Sequence, residues 1–352
     1  VNRIASLDGF RAISIILVVF SHFRFLPQFP GFLFDFARQC DVGVTIFFVI
    51  SGYLITKILQ REYQEADPIN IKLFFIKRAL RILPVCCIYF LFILLINQKL
   101  NLEVNPSNFL HALTFTANFD SSPNWYLGHL WSLSIEEQFY IFWPLLFILF
   151  QKRLKAIIIF LIAYSCVIRV LHYKFHLNTG LYGFFSKSDP IMVGALAALF
   201  NIQNTAIFRN KKRLVNYTLQ IIAFALIIFF TYCTAHGKFG IIALPFGNTI
   251  IASAIMYIIL SYTTYQNNYF FKLLNSKLFI HIGLLSYSIY IWQQFFIFQN
   301  ISLLNVPLYK LATIYFVSFI SYNYWEKPFL RIKERLTKKY DLAKKPILKT
   351  LS

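Results

Sequence analysis

The sequence predicts an all-α, polytopic integral membrane protein of about ten transmembrane helices with both termini in the cytoplasm. Three observations carry this. Apolar residues make up 58% of the chain and charged residues only 14%, with a mean hydropathy of +0.60, which excludes a soluble domain with one anchor. Apolar runs of about 15–22 residues recur along the whole length, and no polar region is long enough for a separate soluble domain. Cations crowd alternate segments between the runs.

The spans fall at roughly 10–26, 42–58, 83–97, 131–150, 156–172, 188–202, 214–234, 240–262, 280–299 and 309–325. Basic clusters follow every second span: Lys57 to Arg81, then Lys152, Arg153 and Lys155, then Arg209 to Arg213, then Lys272 and Lys277, then the tail from Lys327 to Lys349. The other segments hold scattered cations such as Arg24, Arg38 and Lys187. The net charge of +20 is therefore a topology signal. No single basic face forms, so a nucleic-acid partner is excluded and membrane lipids are the expected surroundings. The first span lacks the context of a cleaved signal peptide. Cys40, Cys86, Cys87, Cys166 and Cys233 show no metal or disulfide spacing and are expected to act as small hydrophobes. No metal is expected.

In the first span, DGFRAISIILVVFSHF, Arg11 and His22 are 11 residues apart. That step turns a helix by about 1100°, three turns plus roughly 20°, which puts both side chains on one stripe about 16 Å apart. Asp8 is placed to pair with Arg11 and to favour the positive end of the helix dipole. A membrane histidine also serves as an inter-helix hydrogen-bonder and an arginine near a helix end snorkels, so these residues alone leave both readings open. In the second span Gly43, Ser51 and Gly52 are small residues that admit a neighbouring backbone or a ligand chain. Just before Pro84 and the third span, Arg78 and Arg81 form an i, i+3 pair suited to phosphate, whether of a ligand or of lipid headgroups.

The stretch 107–119 is too short and polar to span and is expected to be re-entrant or interfacial. HLWSLSIEEQFYIFWP then puts Glu136 and Glu137 inside the fourth span, about 100° apart, so only one faces a given partner squarely. An acid there pairs with an arginine, orients an imidazole or takes a proton. Trp131, Tyr140 and Trp143 pack or sit at an interface. Later signals are weaker: Asp189 as a dipole partner, Ser286, Tyr287, Tyr290 and Gln293 in SYSIYIWQQFF, and Glu326 at the inner interface. His129, His172, His176 and His236 read as solvated residues of outer loops or span ends.

Taken in order, these stretches closely resemble the acyltransferase-3 family of integral membrane O-acyltransferases, which modify bacterial surface glycans. The resemblance covers about residues 4–330, as a membrane domain over 1–330 followed by a basic cytoplasmic tail over 331–352, amphipathic or disordered. It implies transfer of an acyl group, usually acetyl, from cytoplasmic acyl-CoA to a glycan hydroxyl, such as lipopolysaccharide O-antigen or a lipid-linked glycan, at a bacterial inner or plasma membrane. By position, Arg11 and His22 match the family's paired arginine and histidine, Arg78 and Arg81 its double arginine, Ser51–Gly52 its serine-glycine motif, and Glu136–Glu137 its acidic motif. Gln293 stands where many relatives have histidine, which leaves His22 carrying more of the argument. No further hydrolase-like domain is expected, so transfer is direct or passes through a separate protein.

These readings combine into one expectation. Arg11, Arg78 and Arg81 hold the phosphates of acetyl-CoA, its arm lies near Ser51 and Gly52, and His22 is general base or transient acyl carrier, oriented by Glu136 or Glu137. Asp8, Trp131, Tyr140, Tyr290 and Glu326 support the site. The rival is a transporter or flippase for a lipid-linked glycan, because intramembrane charges also serve a translocation path. The absence of an inverted repeat counts against it.

Overall fold

The computed structural model describes residues 4–27, 29–64, 69–175, 180–202, 213–263, 268–298 and 306–349, and no strand occurs among them. The helices are α1 (Ala5–Phe23), α2 (Phe34–Gln39), α3 (Val42–Gln64), α4 (Ile71–Asn97), α5 (Pro106–Leu113), α6 (Trp125–Gly128), α7 (Trp131–Leu149) and α8 (Leu154–Phe175). They continue with α9 (Gly180–Phe185), α10 (Asp189–Leu199), α11 (Arg213–His236), α12 (Gly240–Thr263), α13 (Tyr269–Leu274), α14 (Lys277–Phe298), α15 (Pro307–Ser321) and α16 (Lys327–Lys349). The protein is an all-α, multi-pass membrane protein.

Every predicted span lands on a helix, but the count of ten is not reached by length and composition. Among the described residues six helical stretches are long and apolar enough to cross a membrane. The clearest shortfall is α10, whose 11 residues reach only about 16 Å against a hydrocarbon core of about 30 Å. Its sequence is apolar because it is buried in protein: Pro190, Ile191, Met192, Gly194, Ala195, Ala197 and Ala198 are all covered. By contrast α11 turns Ile221, Ile228 and Phe229 outward, as a lipid-facing helix must. The stretch 107–119 resolves into α5 and a 3₁₀ turn at Ala117–Phe119. His176, Arg209, Lys211 and Lys212 lie outside the described residues.

One compact unit comprises Val1–Ile69 and Val104–Ser286. Its closest helix pair is α3 with α10. A Cβ on Gly52 would overlap the Ile191 carbonyl oxygen, and one on Gly194 would overlap the Val49 carbonyl oxygen, so the two glycines let the backbones touch reciprocally. Gly52→Val is expected to force these helices apart and to cost about 1–3 kcal/mol or more, read as a lowered unfolding midpoint in detergent. A midpoint equal to wild type would remove the packing role. Around this pair Val49, Ile50, Tyr53, Ile255 and Ile259 form the apolar core.

The same unit contains a buried ion pair. Arg169 on α8 forks onto Asp189 at 2.9 and 3.2 Å, and both side chains are almost wholly covered. Arg169 also donates to the Ser186 carbonyl at 3.0 Å and to the Pro245 carbonyl, while Thr249 donates to Asp189 at 2.6 Å. Asp189 is therefore the junction of α8, α10 and α12 rather than a simple dipole partner.

The second unit comprises Asn70–Glu103 and Tyr287–Ser352. Asn70 caps α4 by accepting from the Leu73 amide at 2.9 Å, so the helix starts well before the predicted span and carries Arg78, Arg81 and Pro84 inside it. Tyr287 donates to the Ile82 carbonyl at 2.7 Å, and Tyr89 meets Trp292 edge to face at 5.3 Å. Lys310, nearly fully buried, spends its ammonium on the carbonyls of Phe296 and Ile297 at the end of α14. A π-helical turn at Tyr322–Glu326 brings Glu326 inside, where Ser288 donates to it at 2.8 Å. The tail is helical and amphipathic: α16 begins at Lys327 and runs to Lys349.

Candidate active site

The site is built on α1. Its first turns are wedged tightly, since a Cβ on Gly9 would overlap the Leu274 carbonyl and one on Gly283 would overlap that of Asp8. Asn275 donates to Ser6 at 3.0 Å and closes this end. There Asp8 is buried and accepts from Arg11 at 3.0 Å, with the Arg11 side chain 20% exposed. The continuous helix then carries the stripe to His22, which is half-buried and meets Trp125 edge to face at 6.1 Å. Between them the stripe is filled by Ile15 and Val18, each 1% exposed, so both polar ends belong to one inward-facing row.

Ser51 and Gly52 face different ways, as neighbours on a helix must. Gly52 is spent on α10, whereas Ser51 donates to Glu136 Oε2 at 3.1 Å. Tyr140, one turn on from Glu136, donates to the same oxygen at 2.7 Å. The second and fourth predicted motifs thus meet in one hydrogen-bonded cluster, Ser51–Glu136–Tyr140. Both hydroxyls therefore converge on a single carboxylate oxygen. Glu137 is half-buried about 100° round the helix. Trp143 is buried, not interfacial, and donates to Thr56 at 2.9 Å.

The other polar side of α7 holds the preceding loop. Gln138 donates to the Phe115 carbonyl and to Asn118 Oδ1, both at 2.8 Å, and Ser134 accepts from the Ala117 amide at 3.1 Å. Phe115 sits at φ 52, a costly conformation for an aromatic residue, and this grip keeps it there. His129, expected to be solvated, is instead buried, at 4% exposure, in the link between α6 and α7.

At the His22 end of α1 several loop side chains converge. Trp125 also meets Phe25 at 5.0 Å, Arg24 lies 4.7 Å over the Phe25 ring, and Arg24 pairs with Asp41 at 2.9 Å. The Lys187 ammonium lies 4.1 Å over Trp131, whose ring meets Phe48 at 6.1 Å. Lys187 is accessible yet crowded by protein, and that desolvation lowers its pKa while nearby Asp41 acts in the opposite sense.

In the second unit Arg78 lies 5.8 Å over Phe74. Arg81 is half-buried and makes no ion pair or hydrogen bond to any described residue. Tyr290 and Glu326 are buried in that unit. Among the described residues no group of three His, Cys, Asp or Glu side chains is arranged to hold a metal. Sequence reasoning missed Arg169, Gln138 and Lys187. Only Arg169 gave a signal, as a cation within an apolar span.

Comparison with known proteins is consistent along the chain. Residues 4–322 match the family described as an acyltransferase domain. The peptidoglycan O-acetyltransferase OatA of Listeria monocytogenes is 25% identical over 92% of this chain and 55% of its own length. A putative peptidoglycan O-acetyltransferase of Bacillus subtilis, YrhL, is 27% identical over 92% of this chain and 54% of its own. A putative O-acetyltransferase of Staphylococcus aureus is 25% identical over 93% and 57%. The chain thus spans about half the length of these relatives. No solved structure matches. With nearly the whole chain matched, and with the paired Arg11 and His22 and the Ser51–Glu136 contact on the helices that carry the family's motifs, the protein belongs to the acyltransferase-3 family of membrane acyltransferases.

Proposed function

We propose that the protein moves an acyl group, acetyl in the first instance, from cytoplasmic acyl-CoA to a hydroxyl of a cell-envelope glycan. The observation that carries this reading is α1 itself: one unbroken helix presents a partly exposed arginine near one end and a partly exposed imidazole about 16 Å away on the same stripe. Under the positive-inside orientation the Arg11 end is cytoplasmic and the His22 end faces out. Arg11, fixed by Asp8, holds the donor phosphates. The pantetheine arm runs toward His22 on the Ser51 side of α3, because the Gly52 side is closed by α10. His22 takes the proton of the acceptor hydroxyl as its oxygen attacks the thioester carbonyl. The C–S bond breaks, and the imidazolium returns the proton to the departing thiolate, giving the glycan ester and free CoA. Glu136, held by Ser51 and Tyr140, supplies a fixed negative charge that favours the imidazolium.

Arg78 and Arg81 are proposed as anion receptors in the second unit. Support comes from Arg81, a half-buried guanidinium with no counter-ion among the described residues. For the acceptor, the relatives' names specify peptidoglycan or leave it open, which favours peptidoglycan over the lipopolysaccharide expected from the sequence.

Protein reconstituted in vesicles and given radiolabelled acetyl-CoA on the Arg11 side, with peptidoglycan strands or O-antigen on the His22 side, should release free CoA only when an acceptor is present. Transport of a labelled lipid-linked glycan with no CoA release would overturn the reading. Arg11→Gln is expected to raise the donor KM about tenfold with a smaller effect on kcat, as a charge-assisted phosphate contact worth about 1.5–3 kcal/mol should. Because Arg11 also partners buried Asp8, Asp8→Asn/Arg11→Gln must show the same donor defect. An unchanged donor KM in both would count against the clamp.

A further inference from the structure

Within the second unit α16 lies antiparallel to α4, and the seam between them holds two cavities. The first, of about 350 Å³, is lined by Lys72, Leu73 and Ile76 of α4 and by Leu336, Lys339 and Tyr340 of α16. The second, of about 400 Å³, is lined by Pro84, Cys87 and Leu91 of α4, by Phe329 of α16 and by Trp325 of the π-helical turn. On α4 the spacing of Leu73, Ile76, Pro84, Cys87 and Leu91 keeps these side chains within about 80° of one another. Phe329, Leu336 and Tyr340 lie within about 40° on α16. The two cavities are therefore openings along one apolar seam.

This seam runs from headgroup depth into the hydrocarbon. With 27 residues α4 is about 40 Å long, against a hydrocarbon core of about 30 Å, so part of it stands outside the core. Under the positive-inside orientation the Lys72 end is the cytoplasmic one. Cys87 is about 22 Å further along the axis and, like Leu91, is exposed, as a lipid-facing residue is. At the outer mouth Lys72 and Lys339 are both exposed, and neither makes an ion pair or hydrogen bond to a described residue. Among the described residues no acid lines that cavity. Over residues 327–340 α16 carries six cations against Glu334 alone. A basic tail resting on a membrane would account for cations spread around α16. It does not account for one lysine from each helix at the mouth of a shared apolar groove. A cationic mouth over an apolar floor complements an anionic head on an acyl chain.

We propose that this seam binds one anionic phospholipid of the cytoplasmic leaflet. Its phosphate lies between Lys72 and Lys339, and one acyl chain follows Leu73, Ile76 and Leu336 toward Cys87 and Phe329. The lipid bridges α4 and α16 and fastens the basic helix to the bilayer. Arg78 and Arg81 line neither cavity, so this site is separate from the anion receptors proposed above and does not depend on acyl transfer.

The test is native mass spectrometry of the delipidated full chain in detergent. The probes are phosphatidylglycerol, phosphatidylcholine with the same chains, and glycerol 3-phosphate. Wild type should bind one phosphatidylglycerol about tenfold or more tightly than phosphatidylcholine, as two lysines beside an anionic head should give. Glycerol 3-phosphate should neither bind nor compete. Lys72→Gln/Lys339→Gln should abolish the preference and leave phosphatidylcholine binding at its wild-type level, while Lys72→Arg/Lys339→Arg should keep the preference. Arg331→Gln/Lys338→Gln removes the same charge outside both cavities and should also keep it. Ile76→Trp fills the groove and should weaken binding of both lipids. Equal affinities in wild type, a preference that survives Lys72→Gln/Lys339→Gln, or unaltered binding in Ile76→Trp would each overturn the site. A preference lost as fully in Arg331→Gln/Lys338→Gln would leave only a diffuse basic surface and overturn it too. Competition by glycerol 3-phosphate would make the lysines a receptor for soluble anions and likewise overturn the lipid site.

Discussion

His22→Ala is expected to lower acyl transfer by about 10²–10⁴-fold, the range that a positioned general base contributes. The side chain is half-buried at the last turn of α1, where its loss leaves the tightly wedged first turns untouched. Insertion and thermal stability should therefore stay close to wild type, and the defect should appear in kcat rather than in the donor KM. Trp125 and the Ser51–Glu136–Tyr140 cluster remain in place, so residual activity reports positioning without proton transfer. Incubating wild type with labelled donor and no acceptor adds a second readout. Label on His22 would mean the imidazole is itself acylated, and its absence would mean direct transfer. Wild-type turnover in a correctly inserted His22→Ala protein would remove His22 from the chemistry.

The largest effect on stability is expected at Arg169 and Asp189. Either partner replaced alone, as Arg169→Met or Asp189→Ala, strands the other as a buried charge and should cost about 3–5 kcal/mol. The penalty is large because Thr249 and the carbonyls of Ser186 and Pro245 are oriented for the ionised pair. The double variant Arg169→Met/Asp189→Leu removes both charges and should lose much less than the sum of the singles. Unfolding in detergent measures all three. Additive losses would show that the charges do not depend on each other, and near-zero single losses would show that water reaches the pair.

Most of the fold was legible because membrane helices announce themselves by length and hydropathy. All ten predicted spans coincide with helices. The errors share one cause. A helix buried in protein and a helix buried in lipid have the same composition, so α10 read as a span although it is too short for one. Hydropathy also hides where a helix begins: α4 starts at an Asn70 cap that no apolar run marks. His129 was misassigned because a histidine does not state its own burial, whereas Trp143 took the packed one of its two expected places.

The candidate site divides differently. Helical periodicity alone put Arg11 and His22 in one row and set Glu136 and Glu137 apart, because 3.6 residues per turn leaves no choice once the helix is continuous. Periodicity also required Ser51 and Gly52 to diverge. It could not say which of them met another helix and which met an acid. That was decided by the close approach of α3 to α10 on one side and by the α7 carboxylate on the other.

Local sequence thus determined the helices, their approximate ends and the side chains that share a stripe, since these depend on residues within a few turns of one another. Tertiary packing alone decided that Glu136 is bound by Ser51 and Tyr140, that Arg169 pays for itself through Asp189, and that Lys187 lies beside Trp131. These partners are separated by long stretches of chain, and contacts between distant segments are set by which faces pack, a choice no short window of sequence contains.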